Sequence, residues 1–228
     1  MSSYEVEIKS LLGSKENAGA LISKLESRNP GLTPTSFHKQ LNHYFEGGDL
    51  KELYKNVHQF LSEDKKEALK DLSEKAQSFS LRTREADGKV ILVLKVSVDE
   101  GTSANTVGRM EFEAEISPQK LEGLDALDGL ILKSGFKYQA KWSRERTEYK
   151  LKDTTITIDK NAGYGYLAEF EKVVDDETKV PKAKSELKEL INELGIEELP
   201  QDRLERMFAY YNAHWPEYYG TDKVFTVE

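Results

Sequence analysis

Ionisable residues recur at every second position in several segments of this chain. Carboxylates are paired in this way as Glu-x-Glu, and guanidinium groups are paired as Arg-x-Arg. With single residues in the same phase, the set is Glu5, Glu7, Glu111, Glu113, Asp159, Glu169 and Glu171 against Lys9, Arg82, Arg84, Lys95, Arg144 and Arg146. Because side chains alternate along a β-strand, each pair lies on one face of its strand.

The two residue types suit two different ligands. Clustered carboxylates bind Mg²⁺ or Mn²⁺ through oxygen and need neither Cys nor His. Arginine and lysine bind phosphoryl oxygens, and arginine often does so with two parallel hydrogen bonds. Acids for a metal and bases for phosphate in one site make a receptor for a metal-chelated polyphosphate. Phosphoryl transfer at such a site needs chiefly positioning and charge neutralisation, with no covalent nucleophile.

A simpler interpretation of the same pattern is a set of ion pairs on a solvated face. Exposed pairs contribute about 0–1 kcal/mol each, which is too little to impose the pattern on several strands. A packed interior could not hold the charges either, since burying one unpaired ion costs roughly several kcal/mol of folding free energy. If helices cover the apolar faces, the charged faces line a water-filled tunnel.

The elements that must position these residues can be read from the periodicity. Alternation predicts eight β-strands, at residues 3–12, 37–46, 79–86, 89–98, 106–116, 135–152, 154–159 and 166–174. The pair Asp87-Gly88 is typical of a tight two-residue hairpin turn. We therefore expect an α+β, mainly β fold: an eight-stranded antiparallel closed tunnel barrel with helices packed outside, in a single domain over residues 1–228.

Helical periodicity predicts the elements outside the sheet. Ser14 is a candidate N-cap for the first helix. A helical insertion is expected at about 49–76, and C-terminal helices at about 183–213, the last ending at Pro216. Ser117-Pro118 is typical of an N-cap followed by proline at the first helical position.

Composition limits the classes of function. Lys and Arg number 33 and Asp and Glu number 41, which gives a net charge of −8. An acidic chain is a poor general binder of nucleic acid. There are no cysteines, no apolar run approaches membrane-spanning length, and the start lacks a signal region. We expect a soluble cytoplasmic protein that binds neither nucleic acid nor membranes, and the sequence leaves its oligomeric state open.

The order of the motifs carries a resemblance to a known family. The opening Glu5-x-Glu7-x-Lys9 resembles the signature of the CYTH family, the triphosphate tunnel metalloenzymes. Matching motifs follow in family order: Leu81-Arg82-Thr83-Arg84, Lys95, Arg109-x-Glu111-x-Glu113, Arg144-x-Arg146, Asp159, and Gly163-x-Gly165 leading to Glu169-x-Glu171. A single Glu-x-Glu-x-Lys is a weak signal, but this many motifs in order across residues 5–171 make the resemblance specific.

The resemblance implies a tunnel fold, dependence on Mg²⁺ or Mn²⁺, and a triphosphate-bearing small molecule as the substrate. It implies metal binding by Glu5, Glu7, Glu169 and Glu171. It implies catalytic roles for Lys9, Glu111, Glu113 and Asp159, with the three acids as candidates for binding metal or positioning water. It implies phosphate binding by Lys9, Arg82, Arg84, Lys95, Arg144 and Arg146. The 49–76 insertion and the aromatic tail beyond about 200 depart from the family pattern and leave substrate identity open.

Three functions are compatible with these residues. The first is a metal-dependent triphosphatase acting on inorganic tripolyphosphate, thiamine triphosphate or a nucleotide. The second is an adenylyl cyclase resembling the class IV members of the family, which makes cyclic AMP and pyrophosphate from ATP. The third is a non-catalytic polyphosphate-binding module, which the complete set of acids disfavours because bases alone serve plain anion binding. We favour hydrolysis, because no stretch clearly provides a pocket for ribose and adenine.

Overall fold

The computed structural model describes residues 4–76, 78–97, 109–117 and 119–227, and within them it contains eight β-strands and six α-helices. The strands are β1 (Tyr4–Gly13), β2 (Ser36–Gly47), β3 (Ser78–Ala86), β4 (Lys89–Ser97), β5 (Arg109–Ile116), β6 (Phe136–Leu151), β7 (Thr154–Asn161) and β8 (Gly165–Val174). The helices are α1 (Lys15–Arg28), α2 (Leu50–Val57), α3 (Glu63–Lys75), α4 (Gly123–Lys133), α5 (Val180–Glu193) and α6 (Gln201–Tyr218). The strands follow the order β1-β8-β7-β6-β2-β3-β4-β5 in an eight-stranded sheet.

The chain divides into two compact units, the first made of Met1–Lys39 and Ser143–Glu228 and the second of Gln40–Trp142. The expected α+β class, with eight antiparallel strands and helices packed on them, is confirmed. Among the described residues, the strands hold slightly more residues than the helices. Closure of the sheet into a tunnel and the assignment of the chain to one domain stay predictions.

In the first unit, β1, β8 and β7 pair as antiparallel neighbours, and β7 also pairs with β6. The apolar face of these strands packs on α1 and α5, in a core that includes Ile8 and Phe170 from the sheet and Leu21 and Leu187 from the helices. Ser14 caps α1 by accepting a hydrogen bond from the backbone N–H of Asn17 at 3.2 Å, as its residue type predicted. Burying each such large side chain contributes about 1.5–3 kcal/mol, so this face fixes the orientation of the strands.

The second unit pairs β2, β3, β4 and β5 in sequence order. Its core joins Leu92 and Phe112 of the sheet to Leu53, Leu69 and Leu127 of α2, α3 and α4. The helical insertion expected at 49–76 is thus present as α2 and α3. The hairpin between β3 and β4 has positive φ at both turn residues, 52° and 76°, which is the conformation that the Asp-Gly pair favours.

Two helix boundaries differ from the sequence prediction. The helix expected from Ser117-Pro118 begins at Gly123, and Pro118 itself lies outside the described residues. The carbonyl of Ser117 accepts turn hydrogen bonds from the backbone N–H groups of Lys120 and Leu121. Gly123 then has φ of +79°, so a right-handed helix that began at Ser117 could not continue through it, and α4 starts there instead. Pro216 lies inside α6 and does not end it. It is in the last turn, where the missing N–H costs the helix one hydrogen bond.

The C-terminal segment packs on the turn between β7 and β8, within the first unit. Gly163 forms a parallel bridge with Val224, and its N–H donates to the carbonyl of Lys223 at 3.0 Å. Gly163 has φ of +90°, and a Cβ added there would lie 2.6 Å from the ring of Tyr211. Tyr218 is buried and contacts the rings of Tyr211 and Phe225, so this tail aromatic packs on the protein.

Candidate functional site

The charged residues predicted for the site in the first unit lie on the face of the sheet opposite the one that packs on α1 and α5. Glu7 is directly opposite Glu171 across the ladder, and Lys9 is opposite Glu169. Their sequence neighbours Val6 and Ile8 are buried against α1 and α5, and side chains alternate along the strand. The prediction that helices cover the apolar face and leave the charges on the other is therefore confirmed for this unit.

Arg146 is the centre of the hydrogen-bond network on this face. Its Nε and Nη2 donate to the two carboxylate oxygens of Asp159, at 2.7 and 2.6 Å, in a two-pronged pair. Nη2 also donates to Glu169 Oε2 at 2.6 Å. Asp159 is buried, and Arg144 adds a further contact to it at 3.2 Å. Burial would lower the pKa of Arg146, but its hydrogen bonds and the two negative charges outweigh burial and raise it.

Lys9 connects two of the carboxylates on which the metal prediction depends. Its Nζ lies 2.5 Å from Glu7 Oε1 and 3.7 Å from Glu169 Oε1. Burial would raise the pKa of Glu169, but the positive charges of Arg146 and Lys9 are stronger and lower it. Glu169 is therefore a carboxylate held by two cations. Thr157 also donates to it at 3.3 Å, a contact that the charge pattern did not predict.

Glu171 is in the opposite situation, because acids surround it. Partial burial is the largest cause of its raised pKa, followed by the negative charges of neighbouring carboxylates. Those neighbours are Glu5, Glu7 and Glu169. Like charges held together in this way are stabilised by a bound cation, and carboxylate oxygens are the donors that Mg²⁺ and Mn²⁺ prefer.

The residues expected to bind metal therefore fit a divalent ion in donor type and in charge. They are not brought together as a finished coordination shell: among the residues that the structure describes, no group of three or more His, Cys, Asp or Glu has the geometry of a metal site. Two of the four expected ligands, Glu7 and Glu169, instead contact Lys9 and Arg146.

In the second unit, two arginines occupy the face opposite the helices, each held by a neutral side chain from β2. Arg84 donates through Nε to Asn42 Oδ1 at 3.0 Å, and Arg82 donates through Nη1 to the Tyr44 hydroxyl at 2.9 Å. Arg84 also contacts Glu113 at 3.2 Å. Asn42 and Tyr44 were not predicted as part of the site, although their alternation with buried His43 is a signal that could have found them.

The remaining predicted residues of this unit lie on β4 and β5. Lys95 is half-buried, and its backbone pairs directly with that of Glu111. The side chain of Glu111 lies outside the described residues. Trp142 makes an edge contact with Tyr44, their ring centres 6.3 Å apart, and the Arg82 guanidinium lies 5.6 Å from the centre of the Tyr44 ring.

Fold and site together define a class of protein. It is a mixed α+β protein with an eight-stranded antiparallel sheet, helices on the apolar face and paired acids and bases on the other. The CYTH domain model matches residues 3–203. The chain therefore belongs to the CYTH family, the triphosphate tunnel family that the ordered motifs indicated. Comparison with curated proteins gives no match.

Solved structures share this fold at low sequence identity. A Pyrococcus horikoshii protein is 20% identical with a TM-score of 0.57, and the match covers 85% of this chain and 92% of that one. A putative adenylate cyclase from Vibrio parahaemolyticus is 15% identical with a TM-score of 0.56, covering 92% and 99%. A Hippeastrum protein, described as a putative adenylyl cyclase with a dominant triphosphatase activity, is 20% identical with a TM-score of 0.50, covering 92% and 96%.

The helices also bear on membrane insertion. Within the described ranges, none is long and apolar enough to cross a bilayer.

Proposed function

We propose that this protein is a divalent-metal-dependent hydrolase that cleaves a phosphoanhydride bond of a triphosphate: inorganic tripolyphosphate, thiamine triphosphate or a nucleotide. One observation carries the proposal. On the helix-free face of the first unit, an acidic group around Glu171 adjoins a basic network around Lys9 and Arg146. Such a face has oxygen ligands for a hard cation beside donors for phosphoryl oxygens.

Glu5, Glu7, Glu169 and Glu171 would hold Mg²⁺ or Mn²⁺. When bound, the ion would supply neutralisation of charge on the phosphoryl oxygens. Lys9, which contacts Glu7 and Glu169 in the structure, would turn one of its three N–H donors to a phosphoryl oxygen.

Arg146 has donors left over for substrate. Its three hydrogen bonds use Nε–H and both hydrogens of Nη2, and among the described residues no hydrogen bond from Nη1 is found. The two Nη1 hydrogens would bind phosphate while the other side of the fork keeps Asp159 in place. Asp159, buried and fixed by two arginines, would position water or help to hold the metal, and Glu111 and Glu113 are proposed for the same task.

In the second unit, Arg82, Arg84 and Lys95 would bind further phosphoryl oxygens. The contact of Arg84 with Glu113 is long, and the Glu113 side chain is 44% exposed. Water screens the exposed carboxylate of this pair, so a phosphate could take its place on Arg84. The Asn42 bond would keep the guanidinium oriented during that exchange.

The test is turnover of a panel of triphosphates with Mg²⁺ or Mn²⁺, with all phosphate-containing products identified. We expect metal-dependent release of orthophosphate from tripolyphosphate, lost in Glu171→Gln. The control is Glu186→Gln, an acid of the same unit that pairs with Lys172 and projects from α5. Inertness of tripolyphosphate and of every other triphosphate would overturn the proposal.

An adenylyl cyclase is the second candidate. The aromatic contact between Tyr44 and Trp142 beside Arg82 favours it, because a base could stack there. ATP separates the two functions, since the hydrolase yields ADP and orthophosphate while the cyclase yields cyclic AMP and pyrophosphate. Robust cyclic AMP with inert tripolyphosphate would make the chain a cyclase, and tight binding without turnover would make it a polyphosphate-binding module.

A further inference from the structure

A buried polar cluster lies on the helix-covered side of the second unit, away from the charged face. At its centre is Asp128 of α4, whose side chain is 1% exposed. Its carboxylate accepts a hydrogen bond from Thr83 Oγ1 on Oδ1 at 2.7 Å and one from the Tyr138 hydroxyl on Oδ2 at 2.7 Å. His43 Nδ1 lies 2.6 Å from the same Oδ2, with the ring nitrogen as donor to the carboxylate.

Stability alone does not account for this cluster. It lies among Leu81, Leu127 and Phe45, in the apolar core of the unit. Replacement of a buried ionic group by apolar residues of similar volume is often neutral or stabilising, because desolvation offsets the attraction. A fully satisfied polar network does fix one arrangement of the strands and helix that carry it. The role that follows for the cluster is to hold β2, β3 and α4 in one arrangement.

The strand positions that the cluster fixes are next to the arginines. His43 and Thr83 are directly opposite each other in the β2–β3 ladder, and one carboxylate of α4 contacts both. Thr83 lies between Arg82 and Arg84 in the chain, and the next pairs of the ladder are Tyr44 with Arg82 and Asn42 with Arg84. Because side chains alternate, holding one face of this ladder sets the position of the other.

We propose that Asp128 is a positioning residue for Arg82 and Arg84. It anchors β2 and β3 from the helix side, so that the guanidinium groups meet Tyr44 and Asn42 at the observed distances on the other face. The importance of that position for phosphate binding rests on the proposed function, whereas the anchoring itself does not.

The first test measures the arginine directly and needs no substrate. The Nε–H of Arg84 donates to Asn42, so its NMR chemical shift and hydrogen-exchange rate report that bond. We expect both to change in Asp128→Asn, which cannot accept all of the hydrogen bonds of the carboxylate, and in Thr83→Val, which removes one donor at nearly constant volume. Leu127→Ala is the control, since Leu127 is the buried neighbour of Asp128 on α4 and its aliphatic side chain makes no hydrogen bond to the cluster. Unchanged Arg84 signals in Thr83→Val and Asp128→Asn, or equal changes in Leu127→Ala, would overturn the proposal.

The second test uses binding of inorganic tripolyphosphate. We expect Asp128→Asn to weaken binding about tenfold, on the scale of one lost charge-assisted hydrogen bond. In an Arg84→Ala background the same substitution should have a much smaller effect on binding, while its effect on the free energy of unfolding stays the same. Fully additive losses in binding would refute positioning through Arg84. Absence of tripolyphosphate binding by the unmodified protein would instead refute the proposed function, and the NMR comparison would still decide the role of Asp128.

Discussion

Replacing Arg146 with methionine is the most informative perturbation of the first unit. Methionine keeps most of the volume but removes three hydrogen bonds to two carboxylates. Asp159 is 1% exposed and would keep its 3.2 Å contact with Arg144, while Glu169 would keep Lys9 at 3.7 Å. Breaking a buried ion pair costs about 3–5 kcal/mol. Because each carboxylate keeps one cation, we expect the lower end of that range, about 3 kcal/mol.

The assay is denaturant unfolding of the metal-free protein at neutral pH, followed by a thermal scan. For a chain of this length, a loss of about 3 kcal/mol lowers Tm by about 6–12 °C. Arg28→Met is the matched control, because Arg28 forms a similarly short pair with Glu193 in the same unit, at 2.6 Å, with 39% of its side chain exposed. We expect that control to lose at most about 1 kcal/mol.

Equal losses in the two variants would refute the reasoning that burial makes the Arg146 network strong. A double-mutant cycle with Asp159→Asn checks the assignment further. Residues that contact each other directly couple by about 0.5–3 kcal/mol, so the combined loss should be smaller than the sum of the single losses. Simple additivity would mean that the two side chains act independently.

Four further outcomes are expected. Glu171→Gln should abolish metal-stimulated turnover and raise the Tm of the metal-free protein, since it removes a charge that neighbouring carboxylates repel; a lowered Tm with normal turnover would assign it to structure. Arg82→Ala should weaken binding of tripolyphosphate more than that of orthophosphate in calorimetric titrations, and equal losses would contradict contact with one phosphoryl group among several. Gly163→Ala should cost about 2–4 kcal/mol in urea unfolding, from positive φ and overpacking together, whereas Gly220→Ala has positive φ but nothing within 4 Å and should cost clearly less. Backbone hydrogen bonds to the side chain of Asp49, the N-cap of α2, lower its pKa. The charged carboxylate therefore stabilises the fold above its ordinary pKa of 3.8, and this contribution is lost as the pH falls through the lowered value. The difference in free energy of unfolding between the unmodified protein and Asp49→Asn should accordingly be smaller in urea melts at pH 3 than at pH 6.

Local patterns predicted most of the fold. Alternation of apolar and charged residues gave the strands, and the Asp87-Gly88 pair gave the hairpin, because both signals depend on neighbours along the chain. The helix boundaries predicted from Ser117 and Pro216 were wrong, because those signals also depend only on neighbours along the chain. Each has a residue type typical of a helix boundary, but the positive φ of Gly123 moves the start of α4, and α6 continues past the proline to Tyr218.

The charged residues of the site were predicted by type and spacing, but their partners were not. No short pattern shows that Arg146 is hydrogen-bonded to Asp159 and Glu169, since these three residues come from different strands. The Asp128 cluster was missed because it joins β2, β3, α4 and β6. In the sequence, a lone aspartate on a helix that otherwise buries leucines is indistinguishable from a solvated position.

The distribution of charge between the units agrees with the proposed chemistry. Of the residues predicted for the site, the first unit carries five acids and three bases, an excess of two negative charges. One divalent cation carries the positive charge that would balance this excess. The raised pKa of Glu171 shows where the negative charge is concentrated. The predicted residues of the second unit include more bases than acids, three against two. An acid-rich set retains a metal and a base-rich set retains phosphate. The first unit therefore carries the acid-rich part of the predicted site and the second unit the base-rich part, and each part can be tested by substitutions in its own unit.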